Sequence, residues 1–188
     1  MALDATFRGG VPVFGADGFQ EVLGQVSFVK YTPDPFGWLE NSPWLTWLAK
    51  SRWAFRLAGE YALPQNGLLF ALGGGDYYRG FDLSQRQGSA TWVGSVEWRV
   101  PVVRNVEWDF CDHFGGVRNV YLVPFSDVGN AYYHGHPEGP TAVDVGLGLR
   151  VDVAWLGLIE RTMLRLDVAK TINSNAPVQF WIGVQHPF

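Results

Sequence analysis

No stretch of this sequence approaches the roughly 18 apolar residues that a membrane-spanning helix needs, so no such helix is expected within it. Cysteine is nearly missing: Cys111 stands alone, which rules out an internal disulfide and leaves the redox compartment open. Neither sign of charge is in large excess. A formal net charge of -4 gives no reason to expect nucleic acid as a partner, or a strong pull toward anionic lipid. The first residues, Met1-Ala2-Leu3-Asp4, carry no basic stretch and no apolar run, so no signal peptide is expected in this sequence. It was removed, or these residues belong to a longer chain.

Aromatic residues are abundant, with nine Trp, thirteen Phe and seven Tyr, and the apolar residues are dispersed by alternation. From Val143 to Val153 every odd position is Val or Leu, and every even one is Asp, Gly or Arg. Period-two alternation is the signature of a β-strand with one apolar and one polar face. The pattern predicts eight strands: Ala2–Val13, Gln20–Tyr31, Arg52–Leu63, Thr91–Val100, Val117–Val128, Val143–Val153, Thr162–Lys170 and Val178–Phe188. The fifth alternates poorly, and its Pro124 reads as an edge or bulge signal. Several are long enough to cross a bilayer while tilted.

The fold class expected is all-β, an antiparallel transmembrane β-barrel forming a single domain over residues 1–188. Apolar faces would meet lipid, aromatics would form interfacial belts, and charges of both signs would pair in a wet interior. Asp144, Arg150, Asp152, Arg165 and Asp167 are the expected lumenal charges. A soluble β-sandwich remains the competing reading of composition alone.

Further motifs stand in order. A Gly-rich loop over 64–90 holds Gly73-Gly74-Gly75-Asp76-Tyr77-Tyr78-Arg79-Gly80-Phe81. After it come Ser95-Val96-Glu97-Trp98-Arg99, Phe125-Ser126-Asp127-Val128-Gly129-Asn130, Gly146-Leu147-Gly148-Leu149-Arg150 and Leu164-Arg165-Leu166-Asp167. From about Gly73 to the C-terminal Phe188 this set resembles the C-terminal half of the bacterial surface antigen family. That family comprises the outer-membrane assembly and translocation barrels, including BamA, TamA and the two-partner secretion transporters. The resemblance implies that the Arg-Gly-Phe loop folds into the lumen and that Arg79 meets Glu97 and Asp127. Gly80 would permit a tight turn, and Phe81 would wedge the loop against the wall. Glu97 lies on the polar side of its strand by alternation, and an arginine fork can engage a carboxylate through two hydrogen bonds. The chain departs from the family at His186, where an apolar or aromatic residue is usual.

Family barrels have sixteen strands. An eight-stranded barrel is filled by its own side chains, so a loop of about 25 residues cannot also enter it. The chain is therefore expected to be the second half of a sixteen-stranded barrel, as a fragment or as one of two subunits. The alternative is a small closed barrel with the loop over its mouth.

By resemblance, the function expected is insertion or translocation of polypeptides at an outer membrane. The partners would be the lipid bilayer, unfolded or nascent polypeptides, and a missing half-barrel or second copy. Phe180, Ile182, Val184 and Phe188 would form the seam strand, whose edge could accept an incoming strand. A passive pore or purely structural barrel is the other membrane reading. Neither enzymatic chemistry, a cofactor nor a metal is expected. Cys111-Asp112-His113 lacks a workable nucleophile-base geometry on an extended segment. His134-Gly135-His136 lacks a third ligand. Gly73–Gly75 lacks the Lys-Ser/Thr of a phosphate loop. Pro43–Lys50, with Trp44, Leu45, Trp47 and Leu48, reads as an interfacial anchor, a partner-binding stretch or the Trp-rich start of the next strand.

Overall fold

A computed structural model describes residues 2–10, 19–32, 48, 50–63, 69–76, 78–104, 108–110, 115–155 and 159–185. In chain order the strands are β1 (Ala2–Gly10), β2 (Phe19–Tyr31), β3 (Arg52–Leu63), β4 (Phe70–Leu72), β5 (Arg86–Gly88) and β6 (Ala90–Val103). They continue as β7 (Trp108–Phe110), β8 (Gly115–Tyr133), β9 (His136–Pro137), β10 (Ala142–Trp155), β11 (Ile159–Thr171) and β12 (Gln179–Gln185). Eight of them form one antiparallel meander, β1-β2-β3-β6-β8-β10-β11-β12, with β7 and β9 added along β8. All eight expected strands are present. The sheet is open: among the described residues β1 pairs only with β2 and β12 only with β11, so a closed small barrel is not what this chain forms.

The two faces of this sheet differ: one leaves large apolar side chains exposed, and the other buries charged residues beside a small apolar core. On one face, here called outer, large apolar side chains lie bare: Leu147 is 49% exposed, Phe180 73% and Ile182 83%. Strand register lines them up into continuous rows, Leu122↔Leu149↔Leu166↔Ile182 and Pro124↔Leu147↔Val168↔Phe180. On the other, inner face the charged residues are the buried ones, with Arg150 at 1% and Asp144 at 0%. Aromatics gather at one end of the outer face, where Phe28 stacks on Phe55 and Trp53 on Trp98, at 4.7 and 5.6 Å between centroids.

β8 differs from expectation in both length and position. It runs from Gly115 to Tyr133 and is central, paired with β6 on one side and β10 on the other, so Pro124 does not mark an edge. The ladder to β6 skips from Glu97↔Phe125 to Val100↔Leu122. A proline has no N–H to give to that ladder, and the gap falls opposite it.

The Gly-rich loop expected over 64–90 contains a small hairpin, β4 paired with β5, and its last residue already belongs to β6. Positive φ at Gly73 (133°) and Gly74 (108°), reachable by glycine at little cost, reverses the chain after β4. The segment 78–81 then lies on the inner face, where β3, β6, β8 and β10 offer the small or slim side chains Ala58, Val93, Ala131 and Ala142 beneath it. Tyr78 and Phe81 fill that space, with rings 4.6 Å apart. Loop and sheet thus share a compact apolar core beside the charges.

Candidate functional site

Arg79 enters this inner face 2% exposed, and three strands meet its guanidinium. Nε and Nη2 donate to Asp127 Oδ2 and Oδ1 at 2.7 and 2.6 Å, the two-pronged geometry that suits arginine and carboxylate. Nη1 donates to Glu97 Oε1 at 2.7 Å, and Nη2 also reaches Ser95 Oγ at 3.0 Å. Ser95 in turn donates to Asp127 Oδ1 at 2.5 Å. The guanidinium carbon lies 3.4 Å from the centre of the Phe125 ring, a cation held against a π face.

Local sequence explains the convergence. Ser95, Asp127, Asp144 and Thr171 occupy one register row on β6, β8, β10 and β11. Residues directly opposite across strands are neighbours on the same face, so a single loop segment can touch all of them. Asp127 and Asp144 are adjacent carboxylates, and Asp144 is held by backbone donors: the Gly80 N–H at 2.6 Å and the Asp127 N–H at 2.9 Å. Thr171 Oγ1 donates to the Gly80 carbonyl at 2.8 Å, and Trp181 Nε1 to the Arg79 carbonyl at 2.8 Å.

Gly80 therefore serves close approach; its φ is not in the left-handed region expected of a strained turn. A Cβ there would stand 2.6 Å from Asp144 Cβ and 2.8 Å from its Oδ2. Phe81 is buried as anticipated, in the core with Tyr78, and Arg86 lies over its ring at 4.8 Å. Burial pushes the Tyr78 phenol well above its ordinary pKa, opposed by a hydrogen bond to Thr171 and reinforced by the Asp144 carboxylate, so the ring stays neutral.

A second arginine joins the first. Arg150 Nη1 donates to Asp167 Oδ1 at 2.5 Å and its Nη2 to Glu97 Oε1 at 3.0 Å, so Glu97 is shared with Arg79. Arg99 pairs with the other Glu97 oxygen at 3.0 Å, and Arg165 with Asp167 and with the loop's Gly75 carbonyl and Asp76. Asp167 Oδ2 is also 3.6 Å from Arg79 Nη1. Arg79, Arg99, Arg150 and Arg165 thus form one connected cluster with Glu97, Asp127 and Asp167, with Asp144 at its margin. Breaking such a buried cluster by removing one partner typically costs about 3 to 5 kcal/mol.

Arg79, Gly80, Glu97 and Asp127, expected from the resemblance, and Asp144, Arg150, Arg165 and Asp167, expected as lumenal charges, lie together on the inner face. Asp152 does not join them: it is buried, its Oδ2 takes a hydrogen bond from Asn119 at 3.0 Å, and its Oδ1 has no partner among the described residues. Phe180, Ile182 and Val184 lie on the outer face of β12, away from the cluster; Phe188 lies outside the described residues. So do Cys111-Asp112-His113 and most of Pro43–Lys50. His134 and His136 are exposed in the turn before and in β9, and among the described residues no group of three His, Cys, Asp or Glu could hold a metal.

Missed from sequence were Ser95, Thr171, Trp181 and the roles of Phe125 and Gly148. A Cβ on Gly148 would stand 2.6 Å from Arg150 Nη1 and collide with Asp167, so this glycine clears the path from Arg150 to its partner. Compared with known proteins, the chain matches no protein-family model and no curated protein sequence.

Proposed function

We propose that this chain is part of a transmembrane β-barrel of an outer membrane, and that the barrel inserts or translocates polypeptides. The observation that carries the reading is Arg79. A loop arginine reaches across the inner face to Asp127 and Glu97, the two carboxylates that the resemblance to the surface antigen family pairs with it. The exposed apolar rows of the outer face suit hydrocarbon, where such surface costs nothing. In lipid every backbone group needs a partner, so the edges of β1 and β12, unpaired among the described residues, call for further strands, from a longer chain or from a second copy. A face occupied by the loop and its ion cluster favours this reading over an unobstructed passive pore.

The test is reconstitution of the protein in lipid vesicles with a urea-unfolded outer-membrane barrel supplied as client. Acceleration of client folding by several fold over empty vesicles, read as the heat-modifiable band on gels, is the expected result. Ion conductance without any acceleration would overturn it in favour of a passive pore, and a chain that stays monodisperse without detergent would remove the membrane altogether.

A further inference from the structure

We infer that Trp181 couples the buried loop to the edge strand β12, so that release of Arg79 and loosening of β12 are one event. The inference rests on the reading of the chain as a membrane barrel and names what regulates its free edge.

Among the described residues β12 has a single neighbour, β11, and its outer residues Phe180, Ile182 and Val184 are bare. On its inner side Gln179 is buried at one end. Gly183 contributes no side chain, and a Cβ placed there would meet nothing within 4 Å. Trp181 is the large inward residue, directly opposite Asp167, and its indole N–H donates to the Arg79 carbonyl at 2.8 Å. The same ring packs against the loop's other arm: a Cβ on Gly75 would stand 3.3 Å from Trp181 Cβ and 3.4 Å from its Cγ. Arg165, opposite Gly183 on β11, holds the Gly75 carbonyl.

Arg79 and Gly80 therefore bind five consecutive strands of the meander: β6 through Glu97 and Ser95, β8 through Asp127, β10 through Asp144, β11 through Thr171 and β12 through Trp181. The first four have strands on both sides, whereas β12 has only one among the described residues. Losing the clamp thus costs β12 the largest fraction of what holds it. Coupling of this kind is reciprocal: whatever β12 contributes to loop docking, the docked loop contributes to β12.

Backbone hydrogen exchange of the full chain in lipid nanodiscs tests it. Trp181→Phe keeps an aromatic ring, though a smaller one, and deletes the donor; the loss of one neutral hydrogen bond predicts at least about fivefold faster exchange in loop residues 78–82. Arg79→Lys, which retains a positive charge beside the carboxylates but loses the two-pronged fork, should speed exchange across 179–185 by at least as much while leaving 19–31 unchanged. Unaltered β12 exchange in Arg79→Lys, or an equal rise in β2, would overturn the coupling. Client folding by the wild-type protein, measured on the same preparation, reports separately on the membrane-assembly reading.

Discussion

Replacing Gly80 by alanine adds one methyl group and no charge, yet it should release the loop. Carbon atoms rest about 3.5 to 4.0 Å apart, whereas the new Cβ would lie 2.6 Å from Asp144 Cβ and closer still to Thr171 Oγ1. Both neighbours sit in strands paired on two sides, so the loop is what yields, by about 1 Å. That displacement stretches the 2.6 Å contact from the Gly80 N–H to Asp144, and the 2.8 Å contact from Thr171 to the Gly80 carbonyl, beyond hydrogen-bonding range. A bond to a charged acceptor contributes about 1.5 to 3 kcal/mol and a neutral one about 1. The sum, roughly 3 kcal/mol, corresponds to loop opening that is on the order of a hundredfold more frequent. Amide exchange over 78–82 reads this directly, because the Arg79 and Gly80 amides donate to Asp127 and Asp144. Gly24→Ala is the control, since a methyl there meets nothing within 4 Å. Exchange in Gly80→Ala equal to that of wild type would refute the close-approach argument and with it the docked geometry of the loop.

Arg79→Ala strands the Asp127 and Glu97 carboxylates and should cost about 3 to 5 kcal/mol in urea titration; a loss under about 0.5 would show the cluster to be solvated. Gly148→Val forces Arg150 off Asp167 and should lower the melting temperature by several degrees, with no effect on loop exchange comparable to that of Gly80→Ala. With Cys111 replaced by Ser, a fluorescent label at Leu147 or Val145 should be quenched by lipid-borne nitroxide and one at Gln25 by aqueous iodide. The reverse pattern would end the membrane reading.

The alternation of β3, β10 and β11 was legible because their two faces meet different surroundings along the whole length, so side-chain type tracks parity. β8 alternated poorly for a physical reason. Its inner face carries Val123 and Phe125 beside Asp127, since the ring under Arg79 must be apolar, while its outer face carries Pro124 and Ser126. Parity there sorts residues by what the loop needs and not by polarity, and a pattern search for polarity fails. The register row that assembles the site was likewise invisible: Ser95 and Thr171 are ordinary strand residues until cross-strand pairing sets them in line with Asp127 and Asp144. Trp181 did leave a signal. On β12 the outward parity is Phe, Ile and Val, and the inward parity is Gln179, Trp181 and Gly183, so a lone indole stands where polar or absent side chains are the rule. A large aromatic with one polar N–H, placed on the wrong parity, must find both a surface to cover and an acceptor, and the nearest acceptor is the backbone of the loop that Arg79 holds down.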